Sequence, residues 1–172
     1  MHRSLTAAVV AGLGVLTLTG ASLAGDSANR QPAPGRTLTF DVRFSDFFLL
    51  DFGPTGVREV TSFQDPELSP SRGDQIVFED TLLRHGTEVG AGGGTCTVTT
   101  VVAADPPILL SCQVTYQLPD GQVAAQGRAS NAPVKTLAIV GGTGRYVGAG
   151  GELTLTENGD GTGTLVLALD RR

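Results

Sequence analysis

The stretch that decides the fold is VGGTGRYVGAGGE, at residues 140–152, in which glycine recurs every one to four positions. Strand-like runs flank it at residues 136–140 and 152–156. Phosphate-binding glycine loops lead from a strand into a helix, whose N-terminus meets the anion. No helical pattern follows here, so the stretch does not fit a dinucleotide site. We interpret it as a wide turn between two β-strands, where glycines supply positive φ and let backbones approach closely.

Short strand-like runs separated by turn residues recur along the rest of the chain. In the first, Leu38, Phe40, Val42 and Phe44 share one face by period-two alternation. Regular short strands with glycine turns predict a sandwich or barrel, and an eight-stranded closed barrel leaves no open sheet edge. We therefore predict an all-β fold, an eight-stranded antiparallel closed β-barrel. Its main strands are predicted at residues 37–44, 75–84, 95–103, 108–118, 122–128, 134–140, 152–157 and 163–169, with a further short strand at 57–63.

Five motifs in order give the chain a family resemblance. They are GDQIVFEDTL at residues 73–82, EVG with GTCT at 88–97, DGQ at 120–122, QG at 126–127 and the glycine turn. Together they resemble the dirigent and allene oxide cyclase superfamily, as a secreted bacterial-type member. The resemblance covers residues 73–155. It implies a barrel of the predicted size whose lumen binds a small apolar molecule.

Asp80 is the candidate catalytic residue. It shares a strand face with Ile76, Phe78 and Leu82, and a carboxylate on an apolar face is costly unless it is paired. Burial would raise its pKa and suit it to proton transfer. The resemblance adds that dirigents carry an acidic residue in the ligand cavity at this position, and allene oxide cyclases a water-holding asparagine. The alternatives are a solvent-facing Asp80 or a structural pair with an arginine.

This sequence departs from the family pattern in the stretch before the glycine turn. Dirigents carry a second acidic motif, Y-x-S-K-D, before the glycine turn, and allene oxide cyclases carry T-Y-E-D near the same place. The corresponding stretch here is RASNAPVK, at residues 128–135, which contains no acidic residue. We therefore expect this chain to share the barrel without sharing either reaction.

Four other residues are candidate ligand contacts. Phe78 shares the face of Asp80, Tyr116 shares a face with Val114 and Leu118, and Tyr146 sits in the glycine turn. A tyrosine hydroxyl could hydrogen-bond a ligand, or its ring could simply pack in the core. Arg128 could pair with Asp80, hold a ligand oxygen, or lie at the surface. The remaining ligand-binding candidates are thus Phe78, Tyr116, Arg128 and Tyr146.

Histidine and cysteine content limits the chemistry. After residue 24 the only histidine is His85, so a multi-histidine zinc site is excluded, and we predict no metal and no cofactor. Cys96 and Cys112 are the only cysteines, and two cysteines in an exported protein suggest one disulfide. If the two cysteines are directly opposed, the loop is centred on Ala104, slightly before the Asp105-Pro106-Pro107 turn, and a bulge could supply the offset. Two buried free thiols are the alternative.

The N-terminus and the charge predict compartment and partners. Arg3, the apolar run 5–18 and a small-residue site ending at Ala24 read as a secretory signal. We predict a signal peptide at 1–24, a disordered leader at 25–36, and a single barrel domain at 37–172 in a secreted protein. The formal net charge is −5 and Lys135 is the only lysine. Nucleic-acid binding and membrane insertion after signal cleavage are therefore not expected.

Three functions fit these observations. The first is a secreted isomerase or cyclase whose lumen binds and orients a small apolar molecule, with Asp80 as acid or base. The second is a non-catalytic binding barrel, and the third is a structural or interaction barrel with a filled interior. A cavity of about 300 Å³ or more would favour ligand binding. Two-sided apolar strands at residues 108–110 and 165–167, with the family resemblance, lead us to expect a homodimer or homotrimer.

Overall fold

The structure is a computed structural model that describes residues 35–53, 56–61, 69–103 and 108–170. The predicted signal peptide and most of the predicted leader lie outside the described residues. Within the described part of the chain, no helix is long and apolar enough to cross a membrane. The elements are β1 Arg36–Gly53, β2 Gly56–Val60, β3 Gln75–Arg84, β4 Thr87–Val101, β5 Ile108–Leu118, β6 Gly121–Ser130, β7 Val134–Gly142, a 3₁₀ turn Gly144–Tyr146, β8 Gly151–Glu157 and β9 Thr162–Leu169.

Eight of these strands form a closed antiparallel barrel. From β3 to β9 each strand pairs with the next, and β1 pairs with both β3 and β9, which closes the ring. The second half of β1 leaves β9 and forms a hairpin with β2, pairing Leu49 with Val60. The predicted eight-stranded closed barrel is confirmed, and β2 is an additional short strand beside it.

Strand β4 is longer than its sequence pattern indicates. It begins at Thr87 rather than at residue 95, and its first half contains Gly90, Gly92, Gly93 and Gly94. The glycines hide the alternation on which the prediction depended, because they carry no side chain to alternate. The backbone nevertheless pairs with β3 on one side and β5 on the other, which keeps this segment extended.

The glycine turn packs on the neighbouring hairpin turn. Arg145 N donates to the Asp120 carbonyl oxygen at 2.9 Å, and Thr143 N donates to the Gln122 carbonyl oxygen at 2.9 Å. Gly144 has a φ of +58°, and a Cβ there would lie 2.3 Å from the Asp120 oxygen. Glycine is required at this position both by conformation and by space. The predicted turn is confirmed, with one 3₁₀ turn inside it.

The predicted disulfide is also present. Cys96 on β4 and Cys112 on β5 are directly opposed, with Cα atoms 4.0 Å apart, and their sulfurs are bonded. The ladder shifts register between Val98 and Thr100, which supplies the offset between the cysteines and the turn. The free-thiol alternative is wrong.

One end of the barrel is filled and the other is hollow. The filled end is bounded by the glycine turn and the hairpin turns after β3 and β5. Its inward side chains are buried at 8% exposure or less: Leu38, Phe40, Leu82, Leu118, Val123, Tyr146, Leu167 and Leu169. The hollow end is bounded by the turns after β6 and β8. Any ligand site in the barrel therefore lies toward this second end.

Candidate functional site: a half-open lumen

The hollow end of the barrel encloses a cavity of about 670 Å³. This volume is well above that of a small ligand and excludes a fully packed interior. Apolar side chains make up most of its wall, with the disulfide among them. The lining residues on the strands include Phe44, Phe47, Ile76, Phe78, Cys96, Leu110, Cys112, Val114, Tyr116, Leu137, Leu153 and Leu155.

Asp80 faces the barrel interior and is 1% exposed. The Tyr116 hydroxyl donates a hydrogen bond to Asp80 Oδ2 at 3.1 Å. The other carboxylate oxygen, Oδ1, is buried and has no hydrogen-bond partner among the described residues. A buried carboxylate oxygen without a partner is costly, so Asp80 is not explained by its structural contacts alone.

A second buried carboxylate shows what a structural aspartate looks like in this barrel. Asp74 is 0% exposed, and both of its oxygens accept hydrogen bonds. The donors are Phe52 N at 3.0 Å, Ser71 N at 2.6 Å and the Ser71 hydroxyl at 3.0 Å. Asp74 therefore fixes the segment before β3 to the end of β1. Asp80 differs because only one of its oxygens is satisfied.

The contact between Tyr116 and Asp80 crosses a whole strand. Asp80 on β3 is opposite Gly92 on β4, and Gly92 is opposite Tyr116 on β5. A Cβ at Gly92 would lie 2.0 Å from Tyr116 Cδ1 and 2.6 Å from Cε1. The tyrosine ring thus lies flat against the bare backbone of Gly92. Only because this position is glycine can the phenol reach the carboxylate.

Burial determines the protonation of both groups. Desolvation raises the pKa of Asp80 from 3.8 to about 6; the Tyr116 hydrogen bond lowers it, and the charges of Glu157 and Glu79 raise it further. Desolvation, and then the charge of Asp80, raise the pKa of Tyr116 well above its usual value of 10.0. The phenol therefore stays protonated at neutral pH. Asp80 can exchange a proton near neutrality.

Tyr116 and Asp80 are placed differently relative to the open volume. Tyr116 lines the cavity, whereas Asp80 lies behind the tyrosine hydroxyl and does not line it. A molecule in the lumen would therefore meet the phenol first. Asp80 would act on such a molecule through Tyr116.

The other predicted ligand contacts have mixed outcomes. Phe78 lines the cavity, as its face on β3 predicted. Arg128 is exposed on the outer face of β6, because the inward positions of that strand are Val123, Ala125 and Ala129. Tyr146 is buried at the filled end and does not line the cavity. The structure thus places Arg128 and Tyr146 away from the cavity and Phe78 in its wall, and their ligand-binding roles stay predictions.

Charged residues at the mouth were missed by sequence reasoning. Lys135 and Glu157 line the cavity and form an ion pair, with Lys135 Nζ 2.7 Å from Glu157 Oε1. Asp46 lines the same opening beside a bulge in β1. One signal was available: Lys135 alternates with the apolar Leu137 and Ile139, so it belongs to the inward face of β7.

Metal binding and histidine catalysis have little support in the described residues. They contain no group of three or more His, Cys, Asp or Glu side chains that could hold a metal ion. His85 occupies the tight turn between β3 and β4, with a φ of 53°. It lies away from the lumen, as a turn residue should.

Comparison with known proteins identifies the family. The domain described as "Allene oxide cyclase barrel like domain" matches residues 57–165, more than half of the chain. The closed eight-stranded barrel and its lumen agree with that match. The chain belongs to the allene oxide cyclase-like barrel family. A sequence comparison with curated proteins finds no match.

Three solved structures are similar to this chain. A pyocyanin demethylase is 30% identical, with a TM-score of 0.65 over 78% of this chain and 99% of that one. The Diels–Alderase AbmU from Streptomyces koyangensis is 14% identical, with a TM-score of 0.55 over 80% of this chain and 69% of that one. The pterocarpan synthase dirigent protein PsPTS1 is matched at 18% identity and a TM-score of 0.49, over 83% and 99% of the two chains. The likeness to the Diels–Alderase shows a shared fold.

Proposed function

We propose that this protein binds a small, mostly apolar molecule in its lumen and transfers a proton to or from it through Tyr116 and Asp80. The observation that carries the proposal is the hydrogen bond from Tyr116, at the cavity wall, to a buried carboxylate with one unpaired oxygen. Perturbed, half-satisfied carboxylates next to a cavity are typical of functional sites.

The proton transfer can be written without a charged phenol. The ligand's acidic hydrogen moves to the Tyr116 oxygen, while the hydroxyl proton of Tyr116 moves to Asp80 Oδ2. The ligand is left as an anion, Tyr116 remains a neutral phenol, and Asp80 becomes a neutral acid. Reversal at another ligand atom returns the proton and gives an isomer. The raised pKa values of both groups favour this concerted path over a free phenolate.

The wall contributes by positioning the ligand and excluding water. Phe78 and its apolar neighbours hold the ligand against Tyr116, and a dry cavity strengthens the tyrosine–carboxylate interaction. This arrangement suits an isomerase or cyclase that acts mainly by fixing a reactive conformation. We place this activity outside the cell, because the N-terminal sequence reads as a secretory signal and the two cysteines are bonded.

A demethylase is the second candidate function. It is supported by the 30% identity to a pyocyanin demethylase, which is covered over 99% of its length. Pyocyanin is therefore the first defined compound to test. A non-catalytic carrier is the remaining alternative, since the same cavity could bind a ligand without reaction.

The test is ligand capture followed by hydrogen exchange. Native mass spectrometry of the protein incubated with pyocyanin, and separately with an apolar metabolite extract, detects what is bound. The captured compound is then incubated with the protein in D₂O, and its mass is followed. We expect deuterium uptake or conversion by the wild type, and a loss of about 10²-fold or more in Tyr116→Phe, which keeps the ring but not the hydroxyl.

Tyr146→Phe is the matched control, because it removes a buried tyrosine hydroxyl away from the cavity. It should bind and react as the wild type does. A wild type that captures nothing contradicts lumen binding. A wild type that binds without exchange or conversion contradicts proton transfer and leaves the carrier function.

A further inference from the structure

The charges around the lumen are unbalanced. Among the described residues that line the cavity, the charged side chains are Asp46, Lys135 and Glu157. Asp80 adds a third carboxylate behind the Tyr116 hydroxyl. Three carboxylates and one ammonium group give a net charge of −2 when Asp80 is ionised and −1 when it is protonated.

The single ammonium group already has partners. Lys135 Nζ pairs with Glu157 Oε1 at 2.7 Å and donates to the Ala132 carbonyl oxygen at 2.9 Å. The Lys135 side chain is 15% exposed and the Glu157 side chain 35%, so the pair is partly buried and partly screened by water and salt. These two contacts leave one N–H of the ammonium group for a ligand, and an anion bound there would lie beside the Glu157 carboxylate, which repels it.

Negative charge and aromatic rings are, in contrast, present around the cavity. Asp80 lies directly behind the Tyr116 hydroxyl, and its charge acts on the cavity from there. Phe44, Phe47 and Phe78 line the same volume, and the faces of aromatic rings attract cations. The lumen therefore stabilises positive charge through both its carboxylates and its rings.

From these contacts we propose that the lumen selects aromatic ligands carrying a positive charge and discriminates against the same ring systems carrying a carboxylate. The inference rests on the lumen binding proposed above and narrows it to one charge class. Glu157 is the specificity-determining residue, because its ion pair keeps Lys135 from binding anions.

Three fluorescent tricyclic compounds of similar size separate the charge classes: 9-aminoacridine as the cation, 9-anthracenemethanol as the neutral probe and anthracene-9-carboxylate as the anion. Their dissociation constants are measured by fluorescence titration at pH 7.5 and low salt, with competition between probes to establish a shared site. We expect the cation to bind at least about tenfold more tightly than the anion, with the neutral probe between them.

Glu157→Gln should reduce the ratio between the dissociation constants of the anion and the cation about tenfold, because it frees Lys135 for the anion. The matched control is Glu152→Gln, which removes the same charge from the outer face of the same strand, where Glu152 is exposed. It should leave the ratio unchanged. Lys135→Met should weaken binding of the anion further.

The outcomes distinguish this inference from the function on which it rests. If the anion binds the wild type as tightly as the cation, the charge preference is wrong while lumen binding stands. If Glu152→Gln shifts the ratio as much as Glu157→Gln, the preference comes from overall charge and the role of Glu157 is wrong. If no probe binds, lumen binding itself is contradicted. Should a variant fail to fold, as seen by circular dichroism, the wild-type ratio alone decides.

Discussion

At the scale of single residues, the difference between two buried aspartates carries the functional argument. Asp74 and Asp80 are equally hidden from water, but Asp74 accepts hydrogen bonds on both oxygens and Asp80 on only one. Evolution of a stable barrel alone gives no reason to keep a half-satisfied carboxylate, because an apolar side chain would fill the same place at lower cost. A role in binding or proton transfer supplies the reason.

The cost of Asp80 should be visible in the pH dependence of stability. Its pKa is about 6 in the folded protein and near 3.8 when unfolded, so the folded state holds the proton more tightly. Stability from this group is present below pH 4 and is lost as the pH rises through 6. We expect Asp80→Asn to be more stable than the wild type at pH 8, by at most about 3 kcal/mol, with the difference vanishing near pH 4.

Urea unfolding of both proteins between pH 4 and pH 8 measures this difference. Asp41→Asn is the control, since Asp41 is exposed on the outer face of β1 and the substitution removes the same charge. A difference between Asp80→Asn and the wild type that does not change with pH would contradict the raised pKa.

At the scale of elements, the glycines of β4 connect fold and site. The bare backbone at Gly92 lets the Tyr116 ring cross β4 and reach Asp80. A strand rich in glycine is usually weak, because glycine loses much conformational freedom and packs no side chain. Here the ladders to β3 and β5 keep the strand extended. The Tyr116 ring occupies the space that a side chain at Gly92 would fill.

Gly92→Ala should displace Tyr116, because the new Cβ would overlap the ring at 2.0 Å. We expect a loss of about 1–3 kcal/mol in the free energy of unfolding and a broken tyrosine–carboxylate hydrogen bond. Chemical denaturation measures the first, and NMR titration of the Asp80 carboxyl carbon measures the second. With the hydrogen bond gone, the pKa of Asp80 should rise, since that bond lowers it in the wild type.

Gly141→Ala is the control for this substitution, because a Cβ at Gly141 meets nothing within 4 Å. It should change neither the free energy of unfolding nor the pKa of Asp80 by much. If Gly92→Ala leaves the pKa of Asp80 unchanged, the position of the Tyr116 ring does not depend on glycine at residue 92.

At the scale of the whole molecule, the barrel has a filled half and a hollow half, and we propose that the hollow half binds a ligand. A cavity costs packing contacts, and the disulfide between β4 and β5 lies in its wall. A cross-link there stabilises mainly by reducing the freedom of the unfolded chain. The disulfide thus offsets part of the stability that the cavity removes.

Replacement of both cysteines tests this compensation. The bond closes a loop with a sequence separation of 16 residues. We expect Cys96→Ala/Cys112→Ala to lose about 3 kcal/mol in the free energy of unfolding, measured by urea denaturation. A double variant as stable as the wild type would show that the ladder alone holds these strands.

Much of the fold could be predicted because its signals are local. Period-two alternation marked most strands and the apolar face that Asp80 shares, and turn residues marked the hairpins. A bulge was one way to oppose Cys96 and Cys112, and the structure contains a register shift beside them. Period-two alternation also predicts an outward Arg128, next to the inward Ala129, and an inward Lys135, two residues before the inward Leu137.

The sequence by itself determined which side chains of most strands share a face, because alternation is a local property of an extended chain. Only the tertiary structure decided which of these side chains meet. Tyr116 and Asp80 are 36 residues apart, and the ladders β3–β4 and β4–β5 bring them to the same level on either side of Gly92. Lys135 and Glu157 meet across β7 and β8 in the same way. Register and closure depend on all strands together, and the cavity is the space that their packing leaves, so neither is present in any local stretch of the chain.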